Sequence, residues 1–484
     1  MVTAAVPNVM TVTRPAQLRG TIAIPGDKSV THRALLFNAL AAGDARIDGF
    51  LDAADTRSSL ACVRALGVTV DELGGGVLVV HGQGRAALRE PADVLDCGNS
   101  GTTIRLLTGV VAGLPMLTVL TGDGSLRGRP MARVVQPLAK MGAQIDARVN
   151  GTLPPIVVRG GNLRGGTRIE TPVASAQVKS ALLVAATAAD GPVTVVEPSI
   201  SRDHTEKILG AMGAGVSSVP EGERNAITIT PPGGDLRAVD VVVPGDISTA
   251  AVWIIAATLH PDAELLLTGV GVNWTRTGLL DILREMGANI ELLEERVTGG
   301  EPVADLRVTS ARLHGIEVGG GLIPRAIDEL PLVALAGAFA EGDTVIRDAA
   351  ELRVKESDRV ASTAAALRAF GVHLEERPDG MVVHGGAPLH AGRAESVGDH
   401  RLAMLAAVAG MLVEGESAVS GAGAVAVSYP GVLGAPATAG RDGRVGRWQR
   451  SRRRSSWSSR ECPAPGRTRC WRVSVSARIA SRCR

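Results

Sequence analysis

The sequence predicts an α/β protein built from a repeated supersecondary unit. Two observations carry that expectation. First, an apolar residue, a glycine and a strand-forming run recur five times, as Leu66-Gly67-Val68, Met141-Gly142-Ala143, Met212-Gly213-Ala214, Met286-Gly287-Ala288 and Phe370-Gly371-Val372, at intervals of 71 to 84 residues. Each reads as a helix end capped by glycine and followed by a strand. Second, in step with these, a polar cluster opens a nearly all-apolar helix six times. A helix apolar on every side is enclosed by protein, and self-similarity on this scale marks a repeated unit.

Taken in order, the chain first offers a strand over 20–24 that runs into Pro25-Gly26-Asp27 and a helix carrying Lys28, Ser29 and Arg33. A helix N-terminus favours anions through its free N–H groups and dipole, so two cations there do little for stability. They suit an anionic ligand; the plainer alternative is a solvated helix start. Later openings are Asn99-Ser100, Ser175 with Gln177, Asp246 with Ser248, Asp328-Glu329, and Asp399-His400-Arg401, leading into helices over 106–111, 181–189, 250–259, 332–339 and 402–413. Strands over 77–81, 156–159, 227–230, 306–309 and 381–384 follow the glycine caps. Five caps against six openings imply one unit split across the chain ends, with the strand at 20–24 completing the last helix. The expected division is a domain over 23–243, and a second over 1–22 plus 244–431. The chain then crosses twice, at 22–25 and 243–245, each time through Pro-Gly, which suits hinges. Six helix ends in two groups of three would form an anion-attracting cleft. Cations of the two halves should repel across it when empty, and a bound anion should draw them together.

With 484 residues the chain exceeds what one core usually supports. Aromatic residues make up only 2%, which argues against stacking on nucleic-acid bases. The net charge of +2 hides an asymmetry: residues 435–484 hold fourteen Arg and two acidic residues, leaving 37 basic and 47 acidic residues in the body. The segment 432–484 is expected to be a disordered Arg/Ser-rich tail. It reads either as a nucleic-acid arm or as a stretch with no evolved role, since Arg, Ser, Trp and Cys without Lys is what GC-rich DNA yields out of frame. Five scattered Cys give neither a disulfide framework nor metal-ligand spacing. No secretory signal and no membrane-length apolar run is present, so the expectation is a cytoplasmic protein without membrane or nucleic-acid partners.

Charged and amide clusters stand beside the helix starts: Lys28, Ser29 and Arg33; Asp96-Cys97-Gly98-Asn99-Ser100-Gly101-Thr102-Thr103 with Arg105; the Gly122–Pro130 loop with Arg127 and Arg129; Ser175-Ala176-Gln177-Val178-Lys179; and Arg353-Val354-Lys355-Glu356-Ser357-Asp358-Arg359 followed by Asp399-His400-Arg401. Each has a dull reading, as caps or as a solvated helix face of ion pairs. Together they supply more cations than one gap holds without polyanionic ligands. P-G-D-K-S-x-x-H-R-A-L, D-x-G-N-S-G-T, R-G-R-P, S-A-Q-x-K-S-A-L-L, R-V-K-E-S-D-R and D-H-R-x-A-M, in this order, resemble the 5-enolpyruvylshikimate-3-phosphate synthase family over about 14–431. The resemblance implies a two-domain inside-out α/β barrel. Each domain would hold three βαβαββ units with helices buried inside and a cleft between the domains.

By that resemblance the activity is transfer of the enolpyruvyl group of phosphoenolpyruvate to the 5-hydroxyl of shikimate 3-phosphate, releasing phosphate, on the route to chorismate and the aromatic amino acids. Asp328 matches the proton acceptor, Glu356 the proton donor, and Lys28 a residue touching both substrates. Ser29, Arg33, Ser175, Ala176, Gln177, Arg202, Asp328 and Lys355 match the shikimate 3-phosphate site, and Asn99, Gly101, Arg129, Gln177, Arg359 and Arg401 the phosphoenolpyruvate side. The donor role calls for surroundings that raise the Glu356 pKa. No metal or organic cofactor is implied, and the protein is expected to act as a monomer. The chain departs from the family at Ala176, where some members carry Ser; at Val427, where many carry Lys; and after Tyr429-Pro430, where a closing helix is replaced by the tail. Gly101 stands where sensitivity to the inhibitor glyphosate depends on a small residue, so a sensitive enzyme is expected. The rival is the sister transferase acting on UDP-N-acetylglucosamine, which typically uses a loop Cys as its acid. Cys97 sits in a helix-start motif and reads instead as a small buried residue.

Overall fold

A computed structural model describes residues 8–429. Among them the strands form six sheets, and the buried apolar side chains form two clusters. One cluster gathers residues from Val30 to Val243. The other takes Met10 to Ile24 together with Ile247 to Tyr429. The tail expected over 432–484 and the family's closing helix lie outside the described residues.

Five sheets share one plan. In the sheet of Thr167–Glu170, Val193–Glu197, Gly215–Glu221 and Arg224–Thr230, the first two strands are parallel, and the last lies between the second and third, antiparallel to both. Parallel neighbours need a crossover, and a helix supplies it. Six such helices lie inside: α1 (Lys28–Asn38), α2 (Gly101–Ala112), α3 (Ala176–Ala186), α4 (Ile247–Leu259), α5 (Leu330–Phe339) and α6 (His400–Leu412). Five of them are mainly apolar, and α1 buries Thr31, His32, Arg33 and Asn38 along with its apolar residues, so sheets cover all six. α3 stops at Ala186, short of the expected 189, where Thr187 turns and donates to the Val184 carbonyl at 2.7 Å. Outer helices Ala54–Ala65, Ala132–Lys140, His204–Ala211, Gly278–Glu285 and Arg359–Arg368 follow the second strands. The glycine after each has φ between 87° and 101°, at Gly67, Gly142, Gly213, Gly287 and Gly371. A Cβ disfavours that left-handed conformation, which explains the recurring glycine.

The sixth sheet corrects one expectation. The strand that completes the last unit is Val9–Thr13, paired antiparallel with Glu416–Ser420, and not the strand near 20–24. Met10 and Val12 alternate inward, a period-two signal that the sequence carries in V-M-T-V-T. Leu18–Ala23 instead pairs in parallel with Ala263–Gly271, while Val241–Val242 pairs with Ala41–Asp48. Each of these two strands therefore leads into an inner helix of the other core. The crossings lie side by side: Asp27 N–H donates to the Pro244 carbonyl at 2.7 Å, and Asp246 N–H to that of Pro25 at 2.8 Å. A Cβ on Gly26 would sit 2.0 Å from the Gly49 carbonyl oxygen, so only glycine passes there.

Candidate active site

All six inner helices start at one cavity of about 550 Å³. Lys28, Ser29 and Arg33 reach it from α1, Gly101 and Thr102 from α2, and Ala176 and Gln177 from α3. Asp246 and Ser248 reach it at α4, Asp328 just before α5, and His400 and Arg401 from α6. Each helix start adds roughly half a positive charge. Four helices are capped by side chains: Asp27 accepts from Val30 N–H, Ser100 from Thr103, Asp246 from Ser248 and Asp399 from Arg401. Ser175 makes no such cap on α3, so its hydroxyl is not spent on the helix.

The second source of lining residues is the stretch from the end of each second strand to the first turn of its outer helix. It brings Asp55, Arg129, Arg202, Arg276 and the pair Lys355-Glu356 to the cavity. Ten Lys and Arg face six Asp and Glu in the lining, a surplus of four positive charges. The cations are already engaged. Arg359, 1% exposed, donates to Asp399 Oδ2 at 2.8 Å, Asp328 Oδ1 at 3.1 Å and Glu356 Oε2 at 2.6 Å. Arg202 donates to Asp328 Oδ2 at 2.6 Å, and Arg129 to Glu356 Oε1 at 3.4 Å. Arg401 donates to the Asp328 carbonyl at 3.2 Å, and Lys28 Nζ to Asp55 Oδ2 at 3.0 Å. The expectation of mutually repelling cations is thereby tempered, though the surplus of positive charge stays. Carboxylates bridge them across the cavity and offset the repulsion.

These pairs set the protonation states. Burial pushes Asp328 up, but Arg401, Arg202, Lys355 and Arg359 outweigh it and hold its pKa well below the usual range. Burial also pushes Glu356 up, and Arg359 and Arg129 again prevail, so its pKa lies well below an ordinary Glu. The expected raised pKa is thus not found while these ion pairs hold; the guanidinium contacts reverse it. His400 is buried beside Lys28 and Arg401, which lowers it to about 3 and leaves it neutral near pH 7. Burial lowers Lys355 despite Asp328 and Glu351.

The predicted residues converge, with instructive differences. Asn99 does not line the cavity; it stands behind Arg129 and accepts from its Nη2 at 2.6 Å. Arg33 is held in place by the protein: burial lowers its pKa to about 10, and three of its five N–H groups donate to Thr205, Ser180 and the Ser29 carbonyl. Gln177 accepts from Arg105 and donates to Thr102 Oγ1 at 2.9 Å. Lys355, Glu356 and Ser357 lie in a turn before the helix Arg359–Arg368, not on a solvated helix face. Val427 is outside the lining. Cys97 is buried and free, 0% exposed, as expected of a packing residue. Sequence reading missed Arg276, which bonds Asp27 Oδ2 at 2.9 Å and Asp246 Oδ1 at 3.2 Å. The repeat itself could have found it, since Asn273–Arg276 occupies the same step of its unit as Ser201–His204.

Fold and cavity together define a class, an α/β protein of six inner helices whose N-termini converge to hold small polyanions. The enolpyruvyl transferase NikO from Streptomyces tendae shares this fold, with a TM-score of 0.71 at 20% identity over 88% of this chain and 95% of that one. The family model of EPSP synthase (3-phosphoshikimate 1-carboxyvinyltransferase) matches residues 12–434, and the chain belongs to that family. A 3-phosphoshikimate 1-carboxyvinyltransferase of Roseiflexus sp. (strain RS-1) is 54% identical over 426 residues, 87% of this chain and 97% of the relative. One of Synechococcus sp. (strain RCC307) is 54% identical over 415 residues, 85% and 95% of the two chains. The solved EPSP synthase of Acinetobacter baumannii superposes with a TM-score of 0.76 at 40% identity, covering 87% and 96%. The fold is therefore the two-domain inside-out α/β barrel of these transferases. Among the described residues no helix is long and apolar enough to cross a membrane.

Proposed function

We infer that this chain transfers the enolpyruvyl group of phosphoenolpyruvate to the 5-hydroxyl of shikimate 3-phosphate and releases phosphate. The observation that carries this reading is the sharing of Arg359 by Asp328 and Glu356, inside a cavity with a surplus of cations. The reaction needs a base for the hydroxyl, an acid for the methylene carbon, and cations for two phosphates and two carboxylates.

In our reading Lys28, Ser29, Arg33, Ser175, Ala176, Gln177, Arg202 and Lys355 take shikimate 3-phosphate. Phosphoenolpyruvate is taken by Lys28, Gly101, Arg129, Gln177, Arg359 and Arg401, with Asn99 orienting Arg129. At Ala176 only the main chain can contact a phosphate, and the open start of α3 supports that. Substrate anions compete for the same guanidinium groups that hold Asp328 and Glu356 ionised. As Arg129 and Arg359 turn to phosphoenolpyruvate, Glu356 loses its stabilising partners and its pKa rises, which lets it take up a proton and deliver it to the methylene carbon. As Arg202 and Lys355 turn to shikimate 3-phosphate, Asp328 becomes more basic and accepts the hydroxyl proton. The hydroxyl oxygen bonds the central carbon of phosphoenolpyruvate. Phosphate then leaves with its oxygen, the methyl carbon returns a proton, and the double bond is restored.

We also take 23–243 as one domain, 1–22 plus 244–431 as the other, and the two Pro-Gly crossings as the hinge. A monomer suffices, because one chain supplies the whole lining. The buried free thiols of Cys62 and Cys97 fit the cytoplasm. Mass spectrometry tests the transfer: shikimate 3-phosphate incubated with phosphoenolpyruvate and enzyme should gain an enolpyruvyl group. An acceptor lacking the 5-hydroxyl should gain nothing; an adduct on it would contradict the reading.

A further inference from the structure

A second ion pair spans the same gap, and the roles above leave it idle. Arg133, in the first turn of Ala132–Lys140, donates from Nη1 to Glu351 Oε1 at 2.6 Å. Both side chains are largely sheltered, 14% and 27% exposed. Arg133 follows Arg129 by four residues, and Glu351 sits in the short 3-10 turn Ala350–Val354 just before Lys355 and Glu356. The same two segments therefore carry two rungs, Arg129 to Glu356 at 3.4 Å and Arg133 to Glu351 at 2.6 Å.

The rungs differ in what else their members touch. Arg129 also bonds Asn99, and Glu356 also bonds Arg359, so neither member of the inner rung depends on that rung alone. Arg133 and Glu351 have no other ion-pair partner among the described residues. On its own side the turn is anchored by Arg353, which donates to the Pro378 carbonyl at 2.7 Å and to Asp358 Oδ2 at 2.8 Å. Toward the opposite side, Glu351 is its lasting tie once a ligand takes Arg129.

We propose that Arg133 and Glu351 form a positioning pair for the transfer, holding the Lys355-Glu356 turn over the cavity while the inner rung opens to phosphoenolpyruvate. This rests on the functional reading above. Both side chains line the cavity, but the transfer as read above gives neither of them a chemical step. Their effect is on placement, where an error of an ångström in the donor is felt strongly in rate. A partly exposed pair contributes too little to decide folding.

The test is a charge-swap cycle with both substrates at steady state: the parent, Arg133→Glu, Glu351→Arg and the double variant. Each single variant should lose about tenfold or more in kcat/KM for phosphoenolpyruvate. Thermal midpoints should stay near the parent, and the double variant should recover most of the loss. Arg133→Lys should fall between parent and Arg133→Glu. Should a reversed charge prevent folding, Arg133→Gln and Glu351→Gln give the same comparison, each expected to lose activity by a similar factor and the pair together no more than either. Singles that keep the parental kcat/KM, or a double variant no better than the worse single, overturn the proposal. A parent that releases no phosphate at all overturns the functional reading instead.

Discussion

Arg129 Nη1 stands 3.4 Å from Glu356 Oε1, and Arg359 Nη2 holds the other oxygen of the same carboxylate at 2.6 Å. The donor expected for the methylene carbon is thus pinned between two cations that a substrate anion needs. Its acidity is tied to occupancy of the site. Glu356→Gln should keep the fold and bind both substrates, yet lower kcat by about 10²- to 10⁴-fold, the usual worth of a general acid. Burst-phase and steady-state kinetics check this. In the parent, the pH profile of kcat should report an acid higher than the profile of kcat/KM does, because only the bound complex strips Glu356 of its guanidinium partners.

Among the described residues Arg359 is the single cation that touches all three of Asp328, Glu356 and Asp399. Arg359→Ala should abolish measurable turnover and also destabilise the fold by about 3–5 kcal/mol, since buried Asp399 is left without its counter-charge. Arg359→Lys should restore stability in part and activity hardly at all, because one ammonium cannot serve three carboxylates in fixed directions. Denaturant midpoints beside initial rates separate the two effects.

Gly101 opens α2 directly under the Arg105 and Arg129 guanidinium groups. A Cβ there would stand 3.0 Å from Arg105 Nη1 and 3.2 Å from Arg129 Nη1. Gly101→Ala should therefore shift those groups by a few tenths of an ångström without disturbing the backbone. The expected outcome is a KM for phosphoenolpyruvate raised by roughly three- to tenfold and a larger loss of affinity for glyphosate. A variant as sensitive to the inhibitor as the parent would move Gly101 out of that role.

Acid should weaken the fold in two steps. His400 drops from 6.5 to about 3, so the unfolded chain binds a proton that the fold refuses, and stability falls as pH drops from 6.5 toward 3. Glu301 is buried, which alone would raise it. Its hydrogen bond to His204, with Lys207 and Asn273, lowers it from 4.5 to about 2. Its contribution is complete above 4.5 and is lost toward 2. Glu301→Gln should be less stable near neutrality by about 3 kcal/mol, and the gap should close as the pH falls through that window. Urea unfolding of parent and variant across the range checks the sign.

Much of this was legible in the chain, and the limits have physical causes. The glycine caps showed because left-handed φ excludes other residues, and the inner helices showed because enclosure removes their polar face. Site residues at helix starts followed from the same pattern. Arg276 and the Arg133–Glu351 pair stayed hidden, since no cap or apolar period marks them, and only the register of the repeat points to Arg276. Ion-pair choice was also invisible: sequence lists the charges at Glu356 and Asp328 but not which guanidinium meets them, so the direction of the Glu356 shift came out reversed. The strand Val9–Thr13 was overlooked because its partner, Glu416–Ser420, is four hundred residues away in sequence.

The most direct test of the central claim is the initial rate of phosphate release from phosphoenolpyruvate with two acceptors in parallel. The chain should release phosphate with shikimate 3-phosphate and none with UDP-N-acetylglucosamine. Release with the nucleotide sugar alone, or with neither acceptor, would contradict the account.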